Sequence, residues 1–107
     1  MSNKIVVLCT TSSQESANAL AKALVTEKLA ACVNQFPSIK STYAWEGKLE
    51  ESTETMMLIK SSSELWDLLR ARILELHSYD VPEIIALPII EGHKPYLDWI
   101  GESTRSR

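Results

Sequence analysis

Glycine is scarce in this chain: Gly47, Gly92 and Gly101 are its three glycines. None falls in a GxGxxG or Walker-type loop, so no phosphate cradle is written into the sequence. A GxSxG elbow and an HExxH helix are absent too, which removes two common hydrolase signatures. Cysteine is limited to Cys9 and Cys32, and they form no CxxC. Neither a zinc ribbon nor a thioredoxin-like motif is therefore expected. In a reducing compartment both would be free thiols. No apolar run is long: Ile5 to Cys9 is too short for a signal-peptide core or a membrane span. The net charge is −3, and no block of like charges makes a basic patch. The electrostatic footprint of a general nucleic-acid binder is missing. So is the aromatic pattern of an RNA-recognition module. These absences lead to the expectation of a cytoplasmic protein, or an organellar one after loss of a transit peptide. They offer neither nucleic acid nor membrane as a partner. They also leave no nucleophile–base pair from which an enzyme could be argued.

What is present reads as one domain over residues 1–107. Hydrophobic residues make up 45% and charged residues 23%, the balance of a soluble globular chain. Ile5 to Thr10 is a β-branched run and reads as a buried strand. In "SSQE", Ser12 as N-cap and Glu15 form a capping box. Ala17, Leu20, Ala21, Leu24 and Val25 then fall at helical spacing, so a helix is predicted from about Ser13 to Lys28. Ala31 to Phe36 returns to strand character, which Pro37 interrupts, and Ile39 to Trp45 resumes it. In "WEGK", Gly47 can take the positive φ that a tight hairpin needs. The next strand leaves from Lys48 and ends in the apolar "MMLI". Ser61 and Glu64 suggest a second capping box. Leu65, Trp66, Leu69, Ile73 and Leu76 form the stripe of a second helix. Val81 to Ile90 reads as the last strand, an edge or bulged one because Pro88 cannot donate a ladder bond. Pro95 suits the first position of a short C-terminal helix carrying Tyr96, Leu97, Trp99 and Ile100. The order is strand, helix, strand, strand, helix, strand, helix. That is an α+β, ferredoxin-like βαββαβ pattern: one antiparallel sheet, two helices on one face, a long central hairpin and an extra C-terminal helix.

The central hairpin is too long for such a body. Lys48 to Lys60, fully extended at about 3.4 Å per residue, would span about 44 Å. A compact domain of this length has a diameter of roughly 30–35 Å. The hairpin should overhang and leave backbone groups unpaired, and a neighbouring copy is the simplest cover. A homo-oligomer follows as an expectation. The competing reading makes "LEESTE" a polar loop between short strands.

Few residues carry candidate chemistry. Cys9 ends the first strand: it is either a small buried residue or a thiolate for a soft or borderline metal. Cys32 in "LAACVN" reads as core. His77 closes the second helix, where an imidazole can satisfy last-turn carbonyls, act as an acid–base group or bind copper or zinc. His93 follows Gly92 in an apparent loop. Glu83 opens an otherwise apolar strand and needs a partner or a ligand. Lys60, at the end of the preceding strand, is a candidate partner.

"LAACVN", "YAWEGKLEE", "LIK", "HSYDVPEIIALPI" and "YLDWI" occur in this order over nearly the whole chain. Together they resemble the CutA divalent-cation tolerance family. The resemblance implies a ferredoxin-like fold, a homotrimer built by long hairpins, and a link to tolerance of copper and other divalent metals. Tyr43 and Trp45, on the hairpin, are then expected at the trimer interface. The resemblance implies a divalent metal ion, copper among the candidates, on Cys9 and His77, with no organic cofactor. Leu76 stands where the family pattern has a second histidine, and Ser78 where it has a proline. Lys60, Tyr79 and Glu83 match motif positions that could line a cleft between subunits. That leaves three functional readings: a trimeric protein binding a divalent metal reversibly, a trimeric small-ligand module similar to PII-like signalling proteins, or a stable scaffold whose long hairpin or C-terminal helix docks a partner. An unidentified protein partner is compatible with each.

Overall fold

The computed structural model describes residues 2–106. Its elements are β1 (Lys4–Thr11), α1 (Gln14–Thr26), β2 (Cys32–Trp45), β3 (Lys48–Ser62), a short 3-10 turn (Ser63–Leu65), α2 (Trp66–Leu76), β4 (Ile84–Pro88) and α3 (Lys94–Ser103). The strands form one antiparallel sheet in the order β2-β3-β1-β4. This is the ferredoxin-like α+β arrangement that the element order implies. Among the described residues no helix is long and apolar enough to cross a membrane.

Alternation along the strands decides which face is covered. Val7 and Cys9 of β1 lie beside Ile59 and Met57 of β3, and all four are fully buried. Ala17, Leu20 and Leu24 of α1 and Leu69 and Ile73 of α2 close over them and complete the core. The other face carries Leu8, Leu58 and Met56, half-buried, beside Phe36, Ile85 and Leu87, about half exposed. An apolar sheet face left open in one chain is the kind of patch that marks an interaction surface.

Several local expectations change. The N-cap of α1 is Ser13, not Ser12; its Oγ accepts from the Ser16 N–H at 3.1 Å. α1 ends without a glycine. Lys28 takes φ 60, its N–H reaches Val25 O, and the Leu29 N–H reaches Leu24 O at 2.9 Å. That pair of bonds is a Schellman ending, with Leu29 packed on Leu24's side of the core. Ser61 caps nothing. It lies inside β3, fully buried, and donates to Leu29 O at 2.7 Å. Pro37 does not end its strand: β2 runs through, with a register shift between Phe36 and Ile39 and Ser38 at φ 60. β4 is shorter than Val81 to Ile90: it covers Ile84–Pro88, and Pro82 ahead of it has no N–H to donate to a ladder.

The hairpin overhangs. β1 pairs with β3 as far as Thr11↔Thr55, while β2 and β3 continue from Ile39↔Glu54 to Trp45↔Lys48. Beyond Thr55, β3 therefore has a neighbour on one side only. Glu46 at φ 50 and Gly47 at φ 78 make the two-residue turn, the positive pair that a twisted ribbon prefers. The ribbon gives the molecule its 44 Å long axis against 25 and 22 Å. "LEESTE" is strand, not loop.

Candidate functional site

Two polar centres meet at Thr10. The first contains Cys9 and His77. β1 places Cys9 between Met57 and Ile84, with its side chain in the core and no exposure. Its thiol reaches the Thr10 carbonyl at 3.8 Å, a weak contact. Burial first, then the charges of Glu83 and Glu54, push this thiol up to about 12. His77 ends α2, where its backbone N–H bonds to Ile73 O at 2.8 Å. The Tyr79 backbone N–H donates to His77 Nδ1 at 3.1 Å. Nδ1 is thus the acceptor, so Nε2 carries the hydrogen and donates to Thr10 O at 2.7 Å. Cys9 and His77 therefore do converge, on one carbonyl oxygen. As metal donors they are closed off: the thiol is dry and protonated, and both ring nitrogens are engaged. Among the described residues no group of three or more His, Cys, Asp and Glu is placed to hold a metal. The donors of one chain do not complete a four-coordinate site.

The second centre is a cleft of about 580 Å³ between the base of the ribbon and the segment after α2. Thr10 lines it, as do the carboxylates of Glu50, Glu54, Asp80 and Glu83 and the rings of Tyr43, Trp45 and Tyr79. Among the described residues no lysine, arginine or histidine lines it. The ribbon places Glu54 where β3 loses its β1 neighbour. The chain leaving His77 then lays Tyr79 against it, and the Tyr79 hydroxyl donates to Glu54 Oε2 at 2.9 Å. Glu54 is left only 8% exposed. Burial, then the hydrogen bond to Glu54 and its charge, push the Tyr79 phenol up to about 12. The tyrosine thus stays a donor over any ordinary pH.

Of the three residues expected together, Tyr79 and Glu83 line this cleft and Lys60 does not. Lys60 stands further up β3, opposite Val6 and Cys32, and its ammonium bonds to Asn34 Oδ1. It is not the partner of Glu83. Residues 5–103 match the family model described as CutA1 divalent ion tolerance protein.

The chain belongs to the CutA1 divalent ion tolerance family. It is 50% identical over 99 residues to the divalent-cation tolerance protein CutA of Thermus thermophilus, covering 92% of this chain and 96% of that one. It is 46% identical over 101 residues to the chloroplastic CutA 1 protein of Oryza sativa, covering 94% of this chain and 57% of that longer protein. A crystal structure of CutA1 from Oryza sativa superposes with a TM-score of 0.96 at 44% identity, covering 99% of this chain and 97% of that one.

Sequence reasoning missed Glu54, the most deeply placed carboxylate of the cleft. A signal was available. Glu54 shares its β3 face with Met56 and Leu58, so alternation sets it on an apolar face. It also missed the double use of the His77 ring, which depends on the path of the chain to Tyr79. Tyr43 and Trp45 lie on the ribbon and are 43% and 57% exposed in the single chain.

Proposed function

We propose that this chain acts in divalent-cation tolerance as a homotrimer that binds copper or a similar divalent metal ion reversibly, without turnover and without an organic cofactor. The observation that carries the reading is the meeting of Cys9 and His77 at the Thr10 carbonyl. A soft thiolate and an imidazole in one place suit copper and zinc. Loading them means parting His77 from Thr10 or Tyr79 and deprotonating Cys9. A neighbouring copy or water would supply the other ligands. Assembly is supported by the open apolar face and by the ribbon, whose exposed aromatics and unpaired edge call for cover. Tyr43 and Trp45 are the residues we assign to that interface. Residence in the cytoplasm belongs to the same proposal; the rice relative is named as chloroplastic.

The test is a calorimetric titration of reduced protein with Cu(I), Cu(II) and Zn(II) against a fixed competitor. A tight site lost in both Cys9→Ser and His77→Ala is the expected result. Binding that neither substitution changes would refute these ligands.

One observation favours a second reading, a small-ligand module. The cleft beside Glu54 is large enough for a small molecule, and Tyr79 and Glu83 both line it. In this reading Cys9→Ser leaves ligand binding intact, and changes in the cleft abolish it.

A further inference from the structure

We infer that the Tyr79 side chain is a stay across a hinge: the ribbon pivots on the body at Thr55, and the bond from Tyr79 to Glu54 fixes the direction in which it leaves. The inference goes beyond the metal and small-ligand readings and needs neither. Its consequence for assembly rests on the homotrimer reading.

Both sides of β3 change at one residue. β1 stops pairing with it at Thr11↔Thr55. On the other side β2 pairs Phe36 with Met56 and Ile39 with Glu54, so Pro37 and Ser38 together oppose Thr55. Two residues against one make a β-bulge, which bends its strand and interrupts the ladder. Pro37 has no N–H to give there, and Ser38 takes φ 60. Toward the body β3 lies between β2 and β1. Toward the tip only β2 is left, and its ladder is broken at the joint itself. A few residues at element ends that can absorb a change in φ and ψ are what a hinge consists of.

Among the described residues, the side-chain hydrogen bond that crosses this joint is the one the Tyr79 hydroxyl donates to Glu54 Oε2, at 2.9 Å. Glu54 is the first ribbon residue past Thr55, so the bond grips the arm next to its pivot. The other end is anchored in the body. The Tyr79 N–H donates to His77 Nδ1, the two rings lie 4.8 Å apart, and His77 Nε2 donates to Thr10 O on β1. β1, the end of α2 and the ribbon are thus joined in series through Thr10, His77, Tyr79 and Glu54. The accepting carboxylate is buried, so the bond is charge-assisted and shielded from water. A two-stranded ribbon is marginal by itself. One already held in its direction meets a neighbouring copy without first losing that freedom, which is the gain preorganisation brings to binding. Tyr79 is a positioning residue for assembly.

The test is hydrogen–deuterium exchange of the assembled protein, read by mass spectrometry, for wild type, Tyr79→Phe, Glu54→Ala and Glu54→Gln. Tyr79→Phe keeps the ring and removes the bond. It should speed exchange at the joint, in residues 39–43 and 50–55, by about tenfold, the scale of one hydrogen bond to a charged group, and leave β1 and β4 as in wild type. Glu54→Ala should do the same, and the two changes together no more than either alone. Glu54→Gln keeps an oxygen to accept the tyrosine hydroxyl and should restore most of the protection. A merely structural contact would not give a loss confined to the joint and rescued by glutamine. Exchange that rises equally in β1, β4 and the joint, in both Tyr79→Phe and Glu54→Ala, overturns the proposal, as does a joint that neither variant changes. Sedimentation equilibrium on the same samples reads the consequence: Tyr79→Phe should weaken assembly by up to about tenfold. A single chain in the wild type removes that consequence together with the homotrimer reading, while exchange at the joint still decides the stay.

Discussion

Thr10 separates two polar environments that the fold treats in opposite ways. On one side its carbonyl takes His77 Nε2 and the Cys9 thiol, and every polar atom there is matched within the chain. On the other side it borders the cleft, where among the described residues Glu54 has the Tyr79 hydroxyl as donor and no salt bridge. The difference comes from chain path. The Cys9 side faces the core, under the helices, where an unmatched polar atom would be expensive. The cleft lies outside that body, where the ribbon outruns its β1 neighbour. A stable junction and an unfinished one thus sit one residue apart on β1. The two proposed readings make different demands: metal binding requires opening a satisfied knot, and small-ligand binding only filling a gap.

The largest expected effect tests the ribbon against the body. Trp45 sits on the overhang, while Trp66 packs against the core. Trp45→Ala is expected to weaken assembly by about 2 kcal/mol or more, the scale of an interface aromatic, and Trp66→Ala to weaken it less. Equal dissociation constants by sedimentation equilibrium would contradict this.

A smaller effect tests the knot. His77→Ala removes two hydrogen bonds and leaves Thr10 O without its strongest donor. A loss of folding stability of about 1–3 kcal/mol is expected, measured by urea unfolding of the metal-free protein. Stability unchanged within error would mean that the ring is not holding the sheet end to α2.

The smallest sharpens the contrast between two carboxylates. Glu27, unlike Glu54, has its cation: Arg72 donates from Nε and Nη2 at 2.9 Å each and ties the end of α1 to α2. The Arg72 hydrogen bond holds the Glu27 carboxyl below its ordinary 4.5. A depressed folded value adds stability above the ordinary one and loses it as pH falls through the folded one. Both side chains are about a third exposed, so screening keeps the effect modest. Glu27→Gln should flatten the fall of Tm on acidification below pH 4.5. An identical slope in both proteins would show that the pair adds nothing.

The element order, the sheet and the overhang were all legible from periodicity and length. Alternation in Ile5 to Thr10 and in "MMLI" is a strong local signal, and a strand longer than its domain is arithmetic. Boundaries were less legible because chemistry at the ends is ambiguous. Ser12 and Ser13 are equal candidates until Ser16 N–H chooses one. Lys28 at φ 60 hides an ending that glycine would advertise. Ser61 resembles a cap but is consumed by Leu29 O. The sites were half legible. Cys9 and His77 could be named, but their meeting at Thr10 depends on β1 and α2 ending side by side. Tyr79 and Glu83 were found through the resemblance. Lys60 lies further up β3, away from the cleft of the single chain, because strand position does not tell which end of the sheet such a cleft will occupy. Glu54 stayed hidden in a polar run whose other members face water.

The most direct test of the central claim is native mass spectrometry of the reduced protein after loading with Cu(I), comparing wild type with His77→Ala. A three-chain species that carries copper in the wild type and loses it in the variant is the expected result. A single-chain species, or copper carried equally by both proteins, would contradict the account.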